Sequence, residues 1–384
     1  MNSESIYWMS LAHELPAWNF ADREAWKNED KMNLIIQFFH TQKMSISDFF
    51  GLSEKDWKNC FLLNNRQLTE LQKAKSSLAN YAFLAETLQN NGIDAIPIVS
   101  PDYSKTLKEN LKKSAPILLY TKGNQQIMQE KSIAIVGSRE ASDIALQFTD
   151  NVAKKATKEW KVVVSGFAKG VDKQALDSSI ACKGQSIIVL PQGILTFEAG
   201  FKTYYKQIID DDVLVLSTFH PQAPWGKDLA MARNSIIYGL AKEIFVAESK
   251  PSKNRQGKET KGGTYAGAMD GLKKGRQIYV RNPDPTEKND NLYLIQCGAI
   301  AVDFDGNQVS LAETAQATVS FSDQIKDILA TKELTINEIH TKIKFPKSEA
   351  TLKKELLKLD FVEVIKIKNK NYYSLKSTSA ATLF

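Results

Sequence analysis

Four short stretches of the chain carry residue types suited to holding an anion. Gly137-Ser138-Arg139-Glu140 follows the apolar run Ile133–Val136, and Ser165-Gly166-Phe167-Ala168-Lys169-Gly170 follows three valines. Arg233-Asn234 come after Ala223-Pro224-Trp225 and read as the opening of a helix, as does Lys261-Gly262-Gly263-Thr264. Glycine lets backbone N–H groups approach a ligand closely. The first N–H groups of a helix lack intrahelical acceptors and lie at the positive end of its dipole. Arg139 and Arg233 add planar guanidinium groups that match phosphate oxygens, and Lys169 adds an ammonium. This chemistry predicts phosphate binding. At any single loop the plainer reading, a glycine that only shapes a turn, stays open; recurrence in four loops favours the phosphate.

Bond-breaking chemistry has no comparable signature. The patterns G-x-x-x-x-G-K-[ST], G-x-S-x-G and H-E-x-x-H are all missing. His220, between Phe219 and Pro221, has no assignable partner, and Asp172 is read either as complementing a helix N-terminus or as binding a ribose hydroxyl. Cys60, Cys182 and Cys297 are scattered with no C-x-x-C spacing, so neither a disulfide framework, a zinc site nor another cofactor is expected. No run approaches eighteen apolar residues, and the first residues lack a basic segment followed by an apolar one, so a cytoplasmic protein without a membrane partner is expected. The net charge of +6 over 384 residues permits a polyanionic partner without requiring one.

Strand and helix patterns that would position these loops alternate through the middle of the chain. Strands are expected at Ala95–Val99, Ile117–Tyr120, Ile133–Val136, Val162–Ser165, Ile187–Leu190, Val213–Leu216, Ile244–Ala247 and Ile278–Val280. Helices are expected at Asp143–Lys158, Val171–Cys182, Phe201–Ile209, Ala232–Ala241 and Tyr265–Lys274, the first with Ile144, Phe148, Val152 and Ala156 turned inward. Nearly unbroken apolar strands alternating with helices predict an α/β fold with an extended Rossmann-like, doubly wound, mostly parallel sheet. Ligands of such sheets bind beyond the carboxyl ends of the strands, where all four loops would gather.

The ends of the chain differ in texture. Residues 1–92 read as an N-terminal helical domain with Trp8, Trp18, Trp26 and Trp57 in its core and Ser53 as an N-cap. Residues 93–305 form the α/β domain. A basic stretch with Lys250, Lys253, Arg255, Lys258 and Lys261 reads either as a solvated loop or as an electrostatic track for a polyanion. Residues 320–384 read as a winged helix: a helix from Phe321, a second opened by the capping box Thr335–Glu338, a third capped by Ser348, then a hairpin. Lys353, Lys354 and Lys358 would face outward beside Glu349 and Glu355, which leaves DNA and protein equally open as partners of this module.

The series VGSRE, VVSGFAKGVD, IIVLPQGI, RNSIIYGLA and GGTYAGAMDGLKKGRQIYV, in that order, resembles the DNA-processing A family (DprA, also called Smf). The resemblance implies a non-enzymatic protein that binds single-stranded DNA as a homodimer. It also implies protection of incoming strands and delivery of the RecA recombinase to them in natural transformation. On the matching positions it implies that Arg139 and the loop Ser165–Gly170 line the strand-binding pocket, with Lys202 as a further DNA-contacting lysine. Arg233 and Asn234 match the first two residues of the family's Arg-Asn-Arg motif, whereas Ser235 replaces the third. The family's alanine-histidine pair is missing after Val171-Asp172, and the basic insertion before Gly262 is long. A related sensor in defence against foreign DNA therefore stays open. So does a nucleotide-binding or nucleotide-hydrolysing Rossmann protein of the phosphoribohydrolase kind, although Lys261–Met269 lacks the proline and glutamate such enzymes need.

Overall fold

The computed structural model describes residues 4–15, 26, 28–253, 259–260, 262–284, 286–309, 325–326, 328–330, 333–343, 349–367 and 370–376. Two compact units emerge, residues 1–309 and 310–384.

The first unit is built on a nine-stranded sheet. Its strands are β1 (Asp94–Pro97), β2 (Leu118–Lys122), β3 (Ser132–Val136), β4 (Val162–Ser165), β5 (Ser186–Val189), β6 (Val213–Ser217) and β7 (Glu243–Val246). A small hairpin of β8 (Ser252–Lys253) and β9 (Glu259–Thr260) follows, then β10 (Gln277–Arg281) and β11 (Ile300–Val302) rejoin the sheet. The spatial order is β1-β2-β6-β5-β4-β3-β7-β10-β11, parallel from β6 to β11, with β2 and β1 added antiparallel at one edge. Every residue of β3, β4, β5 and β6 is buried, which is why these runs are continuously apolar instead of alternating. From β3 the chain moves outward through β4, β5 and β6, then returns past β3 to β7. The winding thus reverses between β3 and β7, where the loops beyond the two strands diverge and leave a crevice. The fold is the mostly parallel α/β sheet expected; β11 lies beyond the strands read from the sequence.

The flanking helices follow the expected pattern with three differences. In Asp143–Lys158 the buried stripe is Ala145, Phe148, Thr149, Val152, Ala153 and Ala156, whereas Ile144 is 47% exposed. Ile144 lies one position off the stripe, because at 3.6 residues per turn the faces of Ala145 and Phe148 set the contact with the sheet. Phe201–Ile209 is two short helices, Glu198–Thr203 and Tyr205–Ile209, joined at Tyr204. The helix expected from Ala232 starts earlier and spans Lys227–Leu240: Gly226 ends the preceding loop and Lys-Asp-Leu-Ala-Met-Ala suits a helix without interruption. Arg233 and Asn234 therefore project from its middle and do not open it.

In the N-terminal region, helices Ser5–Glu14, Ile46–Gly51, Glu54–Phe61, Asn65–Ser76 and Leu78–Asn90 belong to the same compact unit as the sheet. Ser53 and Asp56 form a reciprocal capping box, and Trp8, Trp26 and Trp57 are core residues; Trp18 lies outside the described residues. His13 ties helix Ser5–Glu14 to β2 of the sheet, its Nε2 2.7 Å from the Tyr120 hydroxyl. Burial first, then the nearby His220 and Lys31, lowers the His13 imidazole to about 3, so it is neutral.

In the second unit the strands are β12 (Leu334–Thr335), β13 (Val362–Ile367) and β14 (Lys370–Leu375), in the order β12-β14-β13. Helix Ile336–Lys342 opens on the Thr335–Glu338 capping box, and Glu349–Leu356 buries Leu352 and Leu356 while Lys353 and Lys354 face solvent. Phe321 and Ser348 lie outside the described residues.

Candidate functional site

The crevice begins where β3 and β4 end. Gly137 fits because a methyl there would come within 2.5 Å of the Val171 side chain. Gly170 has φ +86°, and a methyl on it would press on the Ser138 and Arg139 carbonyl oxygens at 2.4 and 2.7 Å. The two loops are thereby stacked, and the Val171 N–H donates to the Ser138 carbonyl at 3.2 Å. No larger residue could bring Arg139 this close to the β4 loop.

Behind the β4 loop lies Arg233, 3% exposed, reaching in from the middle of its helix. Its Nη1 donates to the Asp172 carboxylate and to the Val189 carbonyl, each at 3.4 Å. Gly166 is the condition for this placement, since a methyl on it would fall 1.0 Å from Nη1. The Arg233 Nε is buried without a partner among the described residues. Burial raises the Asp172 carboxyl, opposed by Arg233, by the Ala168 N–H that donates to it and by Arg139. Burial likewise lowers Arg233, opposed by Asp172. Asp172 is thus paired with Arg233 and also borders the larger of two adjoining cavities. Arg139 is exposed, and among the described residues no hydrogen bond or ion pair holds its guanidinium.

Two adjoining cavities share Arg139, Ala168, Trp225 and Arg233 as common wall. The smaller, of about 420 Å³, adds Gly166, Phe167 and Lys169 from the β4 loop, Gln192 after β5, and Phe197. Phe167 adopts a left-handed backbone (φ +58°), a conformation that costs a non-glycine residue about 1 kcal/mol, and its ring packs edge-on to Phe197 and Tyr204. The larger cavity, of about 1010 Å³, runs along Gly137, Ser138 and Asn234 to Gly262, Gly263 and Thr264 at the start of helix Gly263–Lys273. Positive groups, backbone amides and aromatic faces therefore line one continuous cleft over the carboxyl edge.

Eleven positions singled out in the sequence meet in this cleft: Gly137, Ser138, Arg139, Gly166, Phe167, Lys169, Arg233, Asn234, Gly262, Gly263 and Thr264. Three do not line it: Ser165 is fully buried and donates to the Ile135 carbonyl at 2.8 Å, Gly170 serves loop packing, and Lys202 is exposed on its own short helix. Lys261 lies outside the described residues. Of the basic stretch, Lys250 is described: its Nζ donates to the Glu140 carbonyl at 2.6 Å and pairs with Glu248 at 3.4 Å. Arg255 and Lys258 are not described. His220 sits away from the cleft, its ring 5.1 Å from that of His13.

The helix after Gly137 departs from expectation. Its N-terminus at Asp143 holds no room for an external anion, because the Ser142 hydroxyl accepts from the Ala145 N–H and Glu248 fills the position beyond. Ser142 donates through N–H and Oγ to the two Glu248 oxygens, each at 3.0 Å. A buried carboxylate supplied by the end of β7 satisfies that helix end.

Trp225, Gln192 and Tyr238 line the cleft without having been singled out. Gln192 follows a parallel strand at its carboxyl end, the rule that exposed the other loops. Trp225, 55% exposed between Pro224 and Gly226, was visible as an aromatic in a loop. Tyr238 sits in the run Ile-Ile-Tyr-Gly-Leu, which reads as core.

Among the described residues, no group of three or more His, Cys, Asp or Glu could hold a metal, and no helix is long and apolar enough to cross a membrane. The sequence model of the DNA recombination-mediator protein A family matches residues 94–325. The chain is 35% identical over 136 residues to DNA processing protein DprA of Streptococcus pneumoniae, covering 35% of this chain and 48% of that protein. It is 30% identical over 196 residues to DNA processing protein DprA of Bacillus subtilis, covering 50% and 61%. The matches thus span about half to three-fifths of these relatives' lengths. The X-ray structure of the S. pneumoniae protein superimposes with a TM-score of 0.60 at 23% identity, covering 79% of this chain and 95% of that one, so the two share a fold.

Proposed function

The chain belongs to the DNA recombination-mediator protein A family, and from that premise we propose that it binds single-stranded DNA in the cleft over the carboxyl edge of its sheet. The observation that carries this reading is the pairing of a solvent-facing, uncommitted Arg139 with a wall of aromatic rings in one cleft. Phosphates are held by Arg139, Lys169 and loop amides, while an unpaired base lies against Phe167, Phe197 or Trp225. A cavity of about 420 Å³ admits a single splayed base, and a duplex keeps its bases stacked inside and cannot offer one.

The protein acts without catalysis in this reading. The two buried carboxylates nearest the cleft, Asp172 and Glu248, are both engaged internally, the first by Arg233 and the second by Ser142 and Lys250. The names of its relatives support a role in DNA processing, and the family resemblance supports strand protection and transfer to the RecA recombinase by a homodimer in the cytoplasm. A winged-helix role for residues 320–384 belongs to the same proposal.

The test is a salt titration of labelled single-stranded, duplex and mononucleotide ligands. Single-stranded DNA binds tightest and with the steepest fall in affinity as salt rises. Equal affinity for duplex contradicts the reading, and tight mononucleotide binding followed by base release replaces it with the nucleotide-hydrolysing one.

A further inference from the structure

Tyr238 is 7% exposed, and its hydroxyl is wholly buried with no hydrogen-bond partner among the described residues. Buried hydroxyls are nearly always bonded, because stripping one of water without replacement is costly. The ring lies along helix Gly263–Lys273. A methyl on Gly271 would come 3.5 Å from Cδ1, and one on Gly267 would come 3.0 Å from the hydroxyl oxygen. The hydroxyl is therefore the end that points toward the N-terminus of that helix, and Tyr238 borders the larger cavity together with Gly262, Gly263 and Thr264.

That N-terminus carries no side-chain cap: Gly262 holds the N-cap position, and its own close approach to the Lys250 carbonyl excludes any residue that could cap. The helix is eleven residues long, so its first N–H groups present aligned dipoles to the cavity. Asn234 stands beside them, its Nδ2 3.8 Å from where a Gly263 methyl would be. The Asn234 amide and the Thr264 hydroxyl, like the Tyr238 hydroxyl, hold no hydrogen bond among the described residues. Loop amides, an amide nitrogen and two hydroxyls belong to residues that border this one cavity, all able to donate. A tetrahedral oxyanion accepts several such bonds at once.

We propose that Tyr238, Asn234, Thr264 and the N-terminus of helix Gly263–Lys273 form a second phosphate subsite, distinct from the Arg139 end of the cleft. It deepens the single-strand reading and rests on it for the course of the strand, the phosphate being either the strand's own or that of a free mononucleotide.

The experiment is isothermal titration of the full chain with a short oligothymidylate, with thymidine monophosphate and with inorganic phosphate, on wild type, Tyr238→Phe, Thr264→Val and Arg139→Ala, each also melted thermally. Tyr238→Phe weakens binding about 10-fold, the loss of one hydrogen bond to a charged group, and leaves the melting temperature unchanged or higher because an unsatisfied hydroxyl is gone. Loss confined to the oligonucleotide identifies a backbone phosphate; loss shared by the two small ligands identifies a free one, and either supports the subsite. Unchanged affinity for all three ligands in both Tyr238→Phe and Thr264→Val, with Arg139→Ala still weakening the oligonucleotide, overturns the subsite and leaves the single-strand reading standing. A wild type that binds none of the three overturns both.

Discussion

Helix Asp143–Lys158 and helix Gly263–Lys273 both start beside the same crevice and both follow a glycine turn, yet their N-termini meet opposite fates. The first is closed: Ser142 caps it and the buried Glu248 carboxylate receives two bonds from Ser142. The second is open, with glycine at its cap and an unpartnered tyrosine hydroxyl pointing toward it. A third, Val171–Ala181, comes between them in the chain, its first turn carrying Asp172 bound to Arg233. A strand, a glycine and a helix therefore do not by themselves make an anion site. What decides is whether a carboxylate from elsewhere in the chain has already taken the place of the anion.

The intermediate case should break most severely. Gly166→Ala sets a methyl 1.0 Å from Arg233 Nη1 and must displace the guanidinium from Asp172. Breaking a buried pair this way lowers stability by about 3 kcal/mol, measured by urea denaturation, and binding of oligothymidylate falls with it. A variant as stable as wild type would mean the pair is not holding the β4 loop. At the closed helix end, Glu248→Gln keeps the shape but removes the charge. A loss of about 2 kcal/mol is expected from the helix dipole and the two charge-assisted bonds, and no loss would erase the distinction between closed and open ends.

Remote from both, His13 gives a control on global stability. Its pKa is lowered from 6.5 to about 3, so the unfolded chain binds the proton that the folded chain refuses. Stability then falls as pH drops below about 6.5 and continues to fall toward 3. His13→Gln should reduce that dependence by about 1.4 kcal/mol per pH unit, read from denaturation midpoints at several pH values, with an unchanged slope counting against it. The smallest effect belongs to the open end: Thr264→Val shifts stability by less than about 0.5 kcal/mol. A large loss there would show that the helix end is structurally committed after all.

The sheet was legible because β3 to β6 are buried on both faces, so burial writes itself into the sequence as unbroken apolar runs. Gly166 and Gly170 were legible as loop glycines, but the guanidinium and carbonyls that require them come from distant segments. Glu248 carried no local signal, since its partner Ser142 lies more than a hundred residues earlier. The start of helix Lys227–Leu240 was misplaced because Trp225 and Gly226 gave a loop signal, and nothing in the following residues marks where the helix begins. Tyr238 reads as core from its apolar neighbours, and only packing reveals that its hydroxyl was left without a partner.

The most direct test is at Arg139, exposed and uncommitted at the mouth of the cleft. Affinity for single-stranded oligothymidylate is measured across a range of salt for wild type and Arg139→Ala. If this guanidinium grips a backbone phosphate, the variant binds markedly more weakly and its log–log salt slope is shallower by about one unit. Matching affinity and matching slope in the two proteins would contradict the account.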